Sequence, residues 1–134
     1  MTSRGLERLD EDECLGLLAR KTLGRIVVRI ADHVVALPVW YTLVDRSVAF
    51  RTDPGTKLDA ALLRTQVSFE VDDDAEGWSV IVVGHAHEFG DRDQADRARR
   101  ALDDRWPPGT REHLVQIDIE QVTGRRLHGR AERD

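Results

Sequence analysis

The sequence holds a single cysteine, Cys14, so no disulfide can form within the chain and a reducing compartment is its natural setting. Flanked by Glu13 and Leu15, that thiol reads as a small apolar residue on a helix and not as a nucleophile. No uncharged run is long enough to span a bilayer, and no signal peptide is visible at the start. A surplus of basic residues is missing too. The net charge is −5, whereas binding to a phosphate backbone needs a basic face. Nucleophile elbow, Walker loop, dinucleotide fingerprint, metalloprotease helix and CxxC pair are all absent, which removes most common hydrolase and nucleoside-triphosphatase readings. No internal repeat or low-complexity segment appears. These absences leave one soluble domain over residues 1–134, expected in the cytoplasm, with neither nucleic acid nor membrane as partner.

What is present is organised around FRTDPGTKLDAALL, from Phe50 to Leu63. Ser47 to Phe50 reads as the end of a strand, Asp53-Pro54-Gly55 as a turn, and Leu58, Leu62 and Leu63 fall near helical spacing. Arg51 and Lys57 bracket the turn with positive charge, and Thr52 and Thr56 add hydroxyls. A planar guanidinium fork, a mobile ammonium and the unpaired N–H groups of a helix start together suit a phosphate monoester. The alternative is a solvated basic loop.

Around this stretch the chain reads as strands and short links. Asp10 caps a first helix with Glu13 at the matching box position; Cys14, Leu15, Leu17 and Leu18 form its apolar face, and Thr22-Leu23-Gly24 ends it. Arg25 to Ile30 is β-branched and nearly continuous, which predicts a strand covered on both sides. Ala31-Asp32-His33 links it to a strand from Val34 to Leu43, and Val44-Asp45-Arg46 turns into a third strand ending at Arg51. Thr65 to Val71 is a fourth strand, Asp72 to Gly77 an acidic hairpin tip without calcium-loop spacing, and Trp78 to Phe89 the longest strand, with Val80, Val82 and Val83 facing the core. Gly84 inside it marks a bulge or the close approach of another backbone. Asp91 to Leu102 is a charged surface helix, Trp106 to Gly109 an irregular link, His113 to Ile119 a last strand, and the tail beyond Leu127 is frayed. Six strands with short links must close or expose their edges. The expectation is a mainly β, α+β domain: an antiparallel six-stranded barrel with flanking helices.

Two further groups of residues bear on chemistry. His85 and His87 leave one face of a strand, but no third metal ligand is evident unless His113 or His128 approaches, so no metal is expected. Trp40, Trp78 and Trp106 are core or interface aromatics, or walls for a flat ligand at a barrel mouth or subunit interface.

The order of LDEDECLGLLARKTLGRIVV, LPVWYTL, VAFRTDPGTKLDAAL, VSFEVDD, GWSVIVVGHAHE and EQVTGRRL resembles the flavin-binding split-barrel family related to pyridoxamine 5′-phosphate oxidase, over nearly the whole chain. The resemblance implies a homodimer with two FMN sites at its interface. It places Arg51, Thr52 and Lys57 on the flavin phosphate and Pro38, Val39, Trp40 and Tyr41 along the isoalloxazine ring. Trp78, Ser79 and Val80 line the opposite part of the site, and Trp106 closes over it from the partner. Trp40 departs from the small polar residue common in relatives, and its bulk would narrow or fill the ring site. The substrate-phosphate residues of the vitamin B6 oxidase are not evident, although Arg126-Leu127-His128-Gly129-Arg130 is similar to its closing motif. The reading is an FMN-dependent oxidoreductase or reductase acting on an unidentified small molecule. His33, Tyr41 and His85 are its possible proton donors, and no catalytic residue is assigned. The alternatives are a deazaflavin cofactor, haem with His85, His87, His113 or His128 as axial ligand, or a flavin-binding or structural dimer without catalysis.

Overall fold

The computed structural model describes residues 6–63, 65–102 and 113–127. In chain order its elements are β1 (Leu6–Leu9), α1 (Glu11–Ala19), β2 (Leu23–Ile30), β3 (His33–Val44), β4 (Ser47–Thr52), α2 (Lys57–Leu62), β5 (Gln66–Asp73), β6 (Trp78–Glu88), α3 (Arg92–Leu102), β7 (His113–Asp118) and β8 (Gln121–Leu127). Period-2 alternation drives the architecture. Val67, Phe69 and Val71 on β5 and Trp78, Val80 and Val82 on β6 point to one side, where they meet Ile26, Tyr41, Phe50 and Ile117 in a continuous core.

Six antiparallel strands close around that core in the order β6-β5-β2-β3-β4-β7, with β7 returning to β6. β8 and β1 extend the sheet from β6. The free edge of β6 therefore serves two partners in turn: β8 over Trp78–Val83 and β7 over Ala86–Glu88. Gly84 lies at the changeover, beneath the link from β7 to β8, and Glu120 N donates to Val83 O (3.1 Å) to fix that link. The close approach expected at Gly84 is thus the point where the barrel splits.

Hairpins account for most of the remaining topology. The two-residue turn at Ala31–Asp32 joins Ile30 to its pair His33, and Asp45–Arg46 joins Val44 to Ser47. Ala31 and Asp45 take positive φ (55° and 53°), as tight hairpin turns require. α1 carries the predicted capping box, with Glu13 N donating to Asp10 Oδ1 (2.8 Å) and Asp10 N to Glu13 Oε1 (3.3 Å). Its Cys14, Leu17 and Leu18 are buried.

Several boundaries and faces differ from the expectation. Leu23 and Gly24 open β2 instead of ending α1, because the helix stops at Ala19. β1 and β8 were not anticipated; both lie on the surface, and the exposed-to-intermediate alternation of β8 carries little hydrophobic signal. The strand buried on both sides is β4 and not β2. α3 lays Ala95, Ala98 and Leu102 over Val44, Ala49 and Leu114 on the outside of the barrel, so it is more than a charged surface helix. On β2, Leu23 and Arg25 face outward and stay exposed. Val83, expected inward, shares the outward face with Ile81.

Candidate functional site

β4 delivers Arg51 and Thr52 to the start of the central turn, and α2 begins at Lys57 behind its N-cap Thr56. Gly55 adopts φ +77°, a left-handed conformation that glycine reaches without steric cost. The turn is organised by Asp59, which the sequence reading passed over. Its carboxylate accepts from the Thr52 hydroxyl (2.8 Å), from Gly55 N–H (3.2 Å) and from His113 of β7. The opposite nitrogen of that imidazole meets Glu88 at the end of β6. Burial pushes the Asp59 carboxyl up, but the bonds from Thr52, His113 and Gly55 outweigh it and hold it below its ordinary range. Burial pulls His113 down, and Asp59 and Glu88 more than reverse that, leaving it raised. Thr56 and Asp59 stand at helix-cap spacing, Asp59 N donating to Thr56 Oγ1 (3.1 Å), so a local signal existed for Asp59.

The three expected phosphate residues look in different directions. Arg51 is buried under α3 and donates to Leu102 O (2.8 Å) and Arg99 O (3.5 Å), placing a cation where the helix dipole is negative. Thr52 is engaged with Asp59. Lys57 is exposed and faces a cavity of about 360 Å³ whose far wall is Arg29, Ile30 and Ala31 at the end of β2. Arg29 was not among the expected site residues; it sits outside the central stretch, and only the fold brings it there.

The predicted ring segment divides by face. Val39 and Tyr41 point inward, while Pro38 and Trp40 point outward and are exposed. Tyr41 is locked in the core, its hydroxyl donating to Leu18 O (2.5 Å) and its ring edge-on to Phe69 at 4.9 Å; burial pushes its phenol pKa up. β4 pairs with β3 only over Tyr41–Val44, so the two strands part at Tyr41, next to the Arg51–Thr52 end of β4. Tyr41 N donates to Thr22 O (2.9 Å), on the β2 side. Alternation along the strand then turns the backbone groups of Pro38 and Trp40 toward the edge where β4 has left. Proline removes no ladder bond there.

Trp78 is buried at 1 % exposure and donates from Nε1 to Glu76 Oε1 (3.1 Å); Val80 is also in the core, and Ser79 faces outward. Trp106 and His128 lie outside the described residues. His33 is exposed on the first residue of β3. His85 meets Glu120 (2.7 Å) and His87 meets Asp118 (2.8 Å), all at the surface. Among the described residues no three potential ligands gather to hold a metal, and no helix is long and apolar enough to cross a membrane.

The outward face around Trp40 has its own chemistry. Trp40 lies opposite Leu23, both exposed, with Val34 and Ile81 exposed on the same face. A row runs across the sheet from Pro38 to Arg25, Glu70, Ile81 and Thr123. Arg25 holds both Glu70 and Asp72 at 3.1 Å. Burial, reinforced by Asp72, pushes the Glu70 carboxyl up to about 7 against the opposing pull of Arg25.

A family described as Pyridoxamine 5′-phosphate oxidase matches residues 10–126. A solved structure of the FAD binding protein from Mycobacterium smegmatis is 39 % identical, with a TM-score of 0.76 over 91 % of this chain and 98 % of that one. A FAD-binding protein from Mesorhizobium loti is 28 % identical, with a TM-score of 0.78 over 92 % of this chain and 99 % of its own. An uncharacterized protein of Mycobacterium tuberculosis is 34 % identical over 94 % of this chain and 88 % of its length.

Proposed function

The chain belongs to the flavin-binding pyridoxamine 5′-phosphate oxidase-like family, and on that premise we propose that it is a homodimeric flavin-dependent oxidoreductase acting on a small molecule in the cytoplasm. The observation that carries this reading is the near-full-length likeness, at 39 % identity, to a FAD-binding protein. The residues fit such a ligand. The backbone of Pro38 and Trp40 offers an edge where β4 departs, the Trp40 indole flanks that edge, and Lys57 supplies an exposed cation for the phosphate. FMN carries both the flat ring and the phosphate that these groups suit, and a flavin dinucleotide contains the same moiety. When bound, the flavin supplies electron transfer, while the protein binds and orients it. Arg51 supports the site indirectly, by holding the end of α3 against β4.

The outward face of β2 and β3 supports dimerisation. Exposed Leu23 and Trp40 are paired across the two strands beside the ring segment, and a second copy of the chain would cover them. Deazaflavin and haem are the rival ligands. His85 and His87, as haem ligands, would first have to leave their carboxylate partners.

The reading is tested by adding FMN or FAD to purified protein, removing free ligand, and recording the absorbance together with mass by light scattering. A flavin spectrum at about one per subunit on a dimeric particle is expected. Failure to retain either flavin overturns it.

A further inference from the structure

Arg29, on the outer side of β2, and Lys57, at the start of α2, face one cavity from separate elements. Neither has an ion pair or side-chain hydrogen bond among the described residues, whereas Arg20, Lys21, Arg25, Arg46 and Arg97 each hold a carboxylate. In a chain of net charge −5, two unpaired cations bordering one hollow create a local positive field that an anion would neutralise. Ala31, Ala60 and Ala61 form much of the wall, and their short side chains leave the space open. A volume of about 360 Å³ lies in the range of small-molecule pockets, beyond what a single phosphate needs. Lys57 gives a mobile point charge, while Arg29 gives a planar fork that can span two phosphate oxygens.

We propose that this cavity receives the second phosphate and adenosine of a flavin dinucleotide, with Lys57 on the first phosphate and Arg29 on the second. The proposal rests on the flavin reading above and makes the protein selective for the dinucleotide over FMN. Ile30 and the alanines supply apolar surface for the purine.

Calorimetric titration of the apoprotein with FAD, FMN and ADP tests it, using wild type, Arg29→Ala and Arg29→Lys. Arg29 is exposed and unpaired, so the variants are expected to melt like wild type. FAD should bind more tightly than FMN, and ADP should bind and compete with FAD. Arg29→Ala should weaken FAD and ADP by about 10- to 100-fold and leave FMN within about twofold, with partial recovery in Arg29→Lys. Equal losses for FMN and FAD, no loss for either, or no binding of ADP would overturn the dinucleotide site. Arg29-dependent binding of ADP without binding of either flavin would uphold the phosphate site and sink the flavin reading. Tight FMN binding with no gain for FAD would do the reverse.

Discussion

A Cβ placed on Gly84 would come within 1.8 Å of the Asp118 carbonyl oxygen. The obstacle is backbone, held by the link whose Glu120 N–H bonds Val83 O, so it cannot rotate aside. Gly84→Ala should therefore destabilise the protein by about 3 kcal/mol, at the upper end for overpacking. Urea unfolding measures this; an unchanged midpoint would mean that the β7–β8 link slides freely.

The Asp59–His113 pair predicts a pH-dependent stability. The His113 pKa is raised by the fold, so its share is complete below about pH 6.5 and is lost as pH rises through the folded value. The Asp59 pKa is lowered, so its share is present above about pH 3.9 and is lost as pH falls through its folded value. The pair contributes most between these limits. Melting curves of wild type should fall between pH 6 and pH 8 more steeply than those of His113→Gln. Parallel curves would show that the imidazole carries no linked charge.

Arg51 and Lys57 should separate by what they affect. Arg51→Ala removes two bonds to the end of α3 and should lower the stability of the cofactor-free protein by about 1.5–3 kcal/mol. Lys57→Ala should leave the melting temperature alone and weaken flavin binding by about 10- to 100-fold. If Arg51→Ala melts like wild type without ligand, the helix-end role is wrong.

Glu70 adds a second pH response, on the outward face. Its carboxyl is pushed up to about 7, so the fold favours the protonated form. That contribution is complete below about pH 4.3 and is lost as pH rises through 7. Glu70→Gln should flatten this part of the profile and raise the melting temperature at pH 8. A lower melting temperature at pH 8 would mean that the Arg25 ion pair outweighs the cost of burying the charge.

Much of the fold is legible along the chain because local chemistry dictates it. Asp10 and Glu13 cap α1, two-residue turns set the β2–β3 and β3–β4 hairpins, and alternation through Phe69 and Val80 sets the inner face. The strand-turn-helix around Gly55 is legible for the same reason, and so is the need for glycine at Gly84. β1 and β8 left no comparable signal, since they bury little apolar surface.

Partners distant in sequence were decided only by the folded barrel. Asp59 meets His113 across 54 positions, and Arg51 meets Leu102 across 51. Nothing near Arg51 distinguishes a phosphate ligand from a cation that closes a helix end, because both need only a positive fork beside unpaired oxygen atoms. Lys57 was recognisable as a cation beside a turn, but its companion Arg29 comes from the hairpin that closes over α2. Periodicity and turn residues act over a few positions, and by themselves they determined the six barrel strands, the hairpin turns and most of the inner face. Charge pairing and cavities depend on distance in space, so which cation is buried and which stays open was decided by the closure of the barrel.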